Sequence, residues 1–274
     1  MSDKIKKLVE KIKNLSKTDN YSIKIKTIEE NPEIYESKLG GLPYWTPDLD
    51  YPVNSKGKKL YLLAQINFEK EKTKAPLSTN GLLQFFIFDD DVMGLNFDNF
   101  TKQDNFRVIY YENIDYNITK ESVKKLDIPD SKDAKCFPIC GEFKISLKKS
   151  IDYVNLQDIH FNKFFSIAYK EIYGKEIKKG KIYYDILNDD EIEKLEQELK
   201  IKSFNHKMLG YSYFTQEDPR NEKKYGDYDT LLIQIDSQGK YVSWGDGGIG
   251  NFFINKKSLL KKDFSKVLYS WDCY

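Results

Sequence analysis

Arginine is nearly missing from this chain: Arg107 and Arg220 are the only guanidinium side chains among 44 basic residues. Base readout and bidentate phosphate clamps depend on the planar guanidinium fork, so this usage argues against a dedicated nucleic-acid reader. With 43 acidic side chains against those 44, no global field selects a polyanion or an anionic membrane. The abundance of Lys, Ile and Asn reads instead as the mark of an AT-rich genome.

Other scarcities narrow the chemistry further. No apolar run approaches the roughly 18 residues of a membrane-crossing helix. The first 30 residues lack the apolar core and small-residue cleavage site of a secretory signal, so a cytoplasmic protein is expected. Cys136, Cys140 and Cys273 are an odd set in a long chain, which is no disulfide framework. His160 and His206 are the only histidines, limiting general-base and metal chemistry. There is no G-x-S-x-G elbow, no H-E-x-x-H and no phosphate-binding G-x-x-x-x-G-K-[ST], the glycines at 174 and 180 having the wrong spacing.

What is present is a loosely repeated β-rich unit. A glycine turn at Leu39-Gly40-Gly41-Leu42-Pro43-Tyr44-Trp45 precedes Leu62-Leu63-Ala64-Gln65-Ile66 and Leu83-Gln84-Phe85-Phe86-Ile87. The same succession recurs at Leu209-Gly210-Tyr211-Ser212-Tyr213-Phe214, Leu231-Leu232-Ile233-Gln234-Ile235 and Gly250-Asn251-Phe252-Phe253-Ile254. Gly41 to Gln65 and Gly210 to Gln234 are both 24 positions. Matched spacing of a turn, a buried strand and an aromatic strand predicts two half-units sharing a core.

Periodicity supplies the other elements. Ile5, Leu8, Val9, Ile12 and Leu15 lie at helical spacing, predicting an amphipathic N-terminal helix within 1–16 that docks on the domain's own core. Tyr21 to Lys26 and Phe143-x-Ile145-x-Leu147 alternate as strands, and Phe106 to Tyr111 reads as another. A polar loop with a short helical turn is expected over 117–135. Helices are predicted over 155–173, stopping at Gly174, and after Asn188, whose Glu191 completes a capping box. Phe264 to Trp271 is a closing strand.

No linker or composition break divides the chain, so the expected fold is α+β. It is a single β-rich domain over 1–274 with half-units at 37–111 and 206–274, mostly antiparallel strands and peripheral helices.

Several motifs together resemble a known family. Ser37-Lys38-Leu39-Gly40-Gly41-Leu42-Pro43, Leu63-Ala64-Gln65-Ile66-Asn67, His206-Lys207-Met208-Leu209-Gly210-Tyr211, Asp218-Pro219-Arg220, Trp244-Gly245-Asp246-Gly247-Gly248 and Trp271-Asp272-Cys273 look like the YwqG-like family of bacterial proteins, a domain of unknown function. The resemblance runs from about residue 37 to the C-terminus and implies a cytoplasmic α+β protein, with no reaction, cofactor or catalytic residue attached. In one departure, Ser212 stands where that pattern leads us to expect proline, predicting a less rigid turn.

Individual residues offer candidates. Gly245 to Gly250 matches G-x-G-x-x-G, but Asn251-Phe252-Phe253-Ile254 has strand propensity where a dinucleotide loop needs a helix. The loop with Trp244 and Asp246 still ranks first as a ligand-binding turn. His206 precedes the second glycine turn and lies near Asp218 and Arg220 in sequence, and a structural hydrogen bond is favoured for it over acid–base work. Cys136 and Cys140 lack partners for zinc, and Asp89-Asp90-Asp91 lacks the closing Glu of a calcium loop. Neither metal nor cofactor is expected.

Twenty Tyr, 17 Phe and 3 Trp exceed what a core plainly requires, and Tyr44, Trp45, Tyr211, Tyr213 and Trp244 suggest an aromatic concavity between the half-units. The resulting expectation is a non-catalytic protein- or ligand-binding or regulatory module, with an unknown protein or small molecule as partner and neither nucleic acid nor membrane. The alternative is an enzyme of unrecognised class with His206, Asp218, Arg220 and Asp246 converging in one polar pocket.

Overall fold

The computed structural model describes residues 3–26, 31–200, 205–221 and 223–274. Ten strands build one sheet: β1 (Thr18–Ile25), β2 (Lys38–Gly40), β3 (Tyr61–Asn67), β4 (Leu82–Ile87), β5 (Phe106–Tyr111), β6 (Glu142–Asp152), β7 (Lys207–Met208), β8 (Thr230–Asp236), β9 (Ile249–Ile254) and β10 (Val267–Asp272). Their order is β10-β9-β8-β7-β1-β6-β2-β3-β4-β5, with every adjacent pair antiparallel. Outward from the central β1–β6 pair, each flank is a meander of four consecutive strands.

The sheet rolls until its flanks face one another. Phe85 of β4 meets Phe252 of β9 with ring centroids 5.1 Å apart, and Phe106 of β5 meets Tyr269 of β10 at 5.4 Å. The Tyr269 N–H donates to the Phe100 carbonyl at 2.9 Å, leaving the sheet nearly closed. Leu63, Ile233, Ile254 and Val267 complete the inner core. Strands β4 and β9 are buried at every position, because outer layers cover their other face as well.

Those outer layers consist of helices and loops. Helices α1 (Asp3–Ser16), α4 (Phe161–Tyr173) and α5 (Asp189–Lys200) enclose Ile5, Leu8, Ile12, Phe161, Phe165 and Leu195. The N-terminal helix therefore docks on the protein's own core. Three shorter helices are α2 (Phe68–Glu71), α3 (Lys120–Lys124) and α6 (Lys256–Leu260). The whole is a single α+β domain. Among the described residues, no helix is long and apolar enough to cross a membrane.

Helix α4 starts at Phe161, later than the 155 expected from spacing. Asn155 and Asp158 accept hydrogen bonds from the N–H groups of Gln157 and His160, and such local turns compete with helix. Its C-terminus is Gly174 at φ 69°, as the sequence indicated. The Asn188–Glu191 capping box is present in both directions, at 3.0 and 3.2 Å.

Candidate functional site

The glycine turns of the two flanks carry the same contacts. Gln65 Oε1 accepts from the Tyr44 N–H at 3.0 Å, and Gln84 donates to Tyr44 O at 2.8 Å. In the second flank, Gln234 Oε1 accepts from the Tyr213 N–H at 2.8 Å, and Asn251 donates to Tyr213 O at 2.9 Å. Strands β3 and β8 each shift register at one place, after Leu62 and after Leu231. These glutamines and the asparagine satisfy turn backbone that would otherwise be buried without partners.

Below each turn lies a buried ion pair. Lys38 Nζ is 3.0 Å from Glu142, and Lys207 Nζ is 2.7 Å from Asp152. Gly41 and Gly210, at φ +76° and +78°, sit against those same two carboxylates, where any Cβ would collide. Burial pulls Lys38 down to about 8, against the attraction of Glu142. Burial alone would raise Glu142, but Lys38 and Lys120 outweigh it and hold the carboxyl below its usual value.

Asp218 and Arg220 do come together, in a fully occupied network. Arg220 Nε and one terminal nitrogen grip Asp218 at 2.9 and 2.6 Å, and that nitrogen also reaches Asp158 at 3.1 Å and Ser212 Oγ at 2.7 Å. The guanidinium lies 4.0 Å from the centre of the Phe253 ring. Burial pushes Asp158 up, yet Arg220 and His160 prevail and hold it well below the carboxylate range, while burial leaves Asp218 raised. His160 Nδ1 sits 2.6 Å from Asp158 at the start of α4. Ser212 fits this network as proline would not, since both its N–H, at 3.0 Å, and its hydroxyl, at 2.9 Å, donate to Asp158.

His206 stands apart from that network. Its Nδ1 accepts the Asp236 N–H at 3.0 Å, and burial takes the ring down to about 4. It lines a cavity of about 270 Å³ with Lys24, Ile25 and Asp236. Asp246 is exposed on its turn, where its carbonyl accepts the Tyr274 N–H. The polar pocket expected of an enzyme is thus not assembled: Asp218 and Arg220 pair with each other, while His206 and Asp246 have other partners.

The aromatic concavity also needs correction. Tyr44, Trp45, Tyr213 and Trp244 are buried, the first two packing outside the first flank with Tyr111. Trp244 is inner core, with Gly250 directly beneath its ring and Trp271 at 6.0 Å. Tyr211 is half-buried and ties the sheet to α1 by donating to Ser16 O at 2.8 Å. The aromatic surplus fills cores on both faces of the sheet. The glycine string around Asp246 leads into β9, so its glycines serve close packing, with Gly248 against Asp272 O.

The sequence carries no expectation of a cleft of about 860 Å³ that lies beside the first flank. Leu42, Tyr61, Phe88 and Ile128 line it together with lysines and aspartates, among which Lys59 pairs with Asp127 at 2.7 Å. Its signal was the polar 117–135 segment, whose residues curl back over the start of β3. The acidic run is spent on loop structure: Asp89 accepts the N–H groups of Lys135 and Cys136, and Asp90 that of Gly94. Among the described residues, no three His, Cys, Asp or Glu side chains form a metal-binding group.

Fold and site together define a single-domain α+β protein whose polar clusters are structural locks, one of which, Lys207 with Asp152, borders a cavity of about 300 Å³. Residues 37–273 match the domain of unknown function DUF1963, and the chain belongs to that family, with which the YwqG-like resemblance agrees. None of the curated proteins compared matches it.

Proposed function

We propose that this protein is a non-catalytic binding module that engages a polypeptide segment in the cleft beside β3. The observation carrying this reading is the make-up of that cleft, whose lining combines Leu42, Tyr61, Phe88 and Ile128 with side chains of both charges. Apolar centres with charged rims are the usual anatomy of protein–protein contact. A volume of about 860 Å³ accommodates an anchor side chain and its neighbours. Self-satisfied Arg220, Asp218 and Asp158 support the non-catalytic part, since groups locked to one another are not poised for substrate. A cytoplasmic setting belongs to this reading, supported by three free thiols. So does an internal duplication, supported by the paired turn contacts of the two flanks.

The test is affinity capture from host lysate with the wild type and with Ile128→Glu, a change on the cleft wall away from the sheet interior. A protein retained by the wild type and lost by the variant is expected. Capture that is identical for both removes the cleft from recognition.

A further inference from the structure

The two flanks diverge at one place. In the first, Ser37 Oγ accepts the Asn67 N–H at 3.0 Å while Ser37 O receives the Ile145 N–H at 3.0 Å. In the second, His206 Nδ1 accepts the Asp236 N–H at 3.0 Å while His206 O receives the Ile23 N–H at 2.9 Å. Two residues further along the central strands lie Leu147 and Ile25. Antiparallel strands turn alternate amides to opposite neighbours, so the N–H groups of Leu147 and Ile25 point the same way as those of Ile145 and Ile23.

The Leu147 amide has a partner: it donates to the Glu71 carboxylate at 2.6 Å. That carboxylate comes from α2, which directly follows Asn67. Asp236 leads directly into a loop before β9 instead of a helix, and the corresponding space is the cavity of about 270 Å³ that Ile25 and His206 both line. His206 is 3% exposed, and its Nε2 has no hydrogen bond. Because Nδ1 accepts, the neutral ring carries its proton on Nε2, a buried donor with no acceptor in hydrogen-bond geometry. The Gln238 side chain favours a proton on the ring without reaching Nε2 in hydrogen-bond geometry.

We propose that this cavity binds the carboxylate of a small organic acid, which takes the place that Glu71 fills in the first flank and accepts from Ile25 N–H and His206 Nε2–H. Lys24, whose charge already bears on His206, adds attraction. The volume suits a short mono- or dicarboxylate rather than a cofactor. Asp236 opposes it when ionised; burial raises that carboxyl to about 6, with Lys207 pulling the other way. Lys24, Lys207 and Asp236 are the charges that bear on the site, so occupancy tightens as pH falls through the Asp236 titration. The site shares no residue with the cleft, and either can fail alone.

The test uses the labelled full-length chain titrated with acetate and with succinate while the Ile25 amide and His206 Nε2–H resonances are followed. Saturable shifts of both are expected. His206→Ser, the first flank's residue, keeps an acceptor for Asp236 and is expected to weaken binding about tenfold. Asp236→Asn, the counterpart of Asn67, is expected to strengthen binding near neutral pH and to remove the tightening seen as pH falls toward about 6, above the titration of the acids themselves. Resonances unmoved by both acids in the folded wild type overturn the proposal, as does undiminished binding by His206→Ser. Should that variant not fold, an unchanged pH profile in Asp236→Asn overturns it instead.

Discussion

Glu142 and Asp152 begin and end the same strand, β6, and each receives a buried lysine from a different flank, Lys38 at 3.0 Å and Lys207 at 2.7 Å. One strand therefore fastens both glycine turns. The two fastenings differ in redundancy, because Glu142 also holds Lys120 at 3.0 Å and Lys132 at 3.2 Å.

That difference predicts unequal losses. Lys207→Met strands Asp152 as a buried charge and is expected to destabilise by about 3 to 5 kcal/mol. Lys38→Met leaves Glu142 two other ammonium groups, so its loss should be smaller. Urea denaturation of both variants checks the order, and equal midpoints would contradict it.

At Ser212, proline removes the N–H and the hydroxyl that both donate to Asp158, whereas alanine removes only the hydroxyl. Ser212→Pro should therefore destabilise more than Ser212→Ala, by roughly 1 to 3 kcal/mol for the additional unsatisfied contact. Thermal unfolding of the pair measures the gap.

Gly41→Ala and Gly210→Ala each force a Cβ against a buried carboxylate at positive φ. A loss of about 1 kcal/mol is expected from the backbone alone, with more from displacement of the ion pair. Chemical denaturation reads the sum. A variant as stable as the wild type would mean that the turn relaxes freely.

His206 and Asp236 are neighbours whose titrations oppose one another. Burial lowers His206 from 6.5 to about 4, so the unfolded chain binds the extra proton and stability rises with pH across that window. Burial raises Asp236 from 3.8 to about 6, so the folded chain binds the extra proton and stability falls with pH across nearly the same window. Asp236→Asn should expose the rise and His206→Gln the fall, each measured against wild type in denaturant series between about pH 4 and about pH 6.5.

Local signals were the legible ones. The Asn188–Glu191 box and Gly174 mark helix ends through contacts within a few residues, and the run Phe106–Tyr111 coincides with β5. Strands β2 and β7 are too short for any period to register, although the glycine turns after them were plain. Whether Tyr44 and Trp244 are core or surface depends on the sheet rolling and on layers outside it, which alternation along one strand does not encode. The Arg220 network joins residues near 158, 212 and 220, and the His206 cavity exists through the lack of a helix after Asp236. Both arise from tertiary juxtaposition and leave no local pattern.

The position of β1 sets an order of assembly during translation. The first flank needs β6, which is complete once Asp152 has been made, but the second flank docks on β1, the earliest strand of all. A nascent chain halted there can finish one side of the sheet while Thr18–Ile25 keeps an open edge, with Lys24 as the strand's one lysine to guard it, until β7 and β8 leave the ribosome.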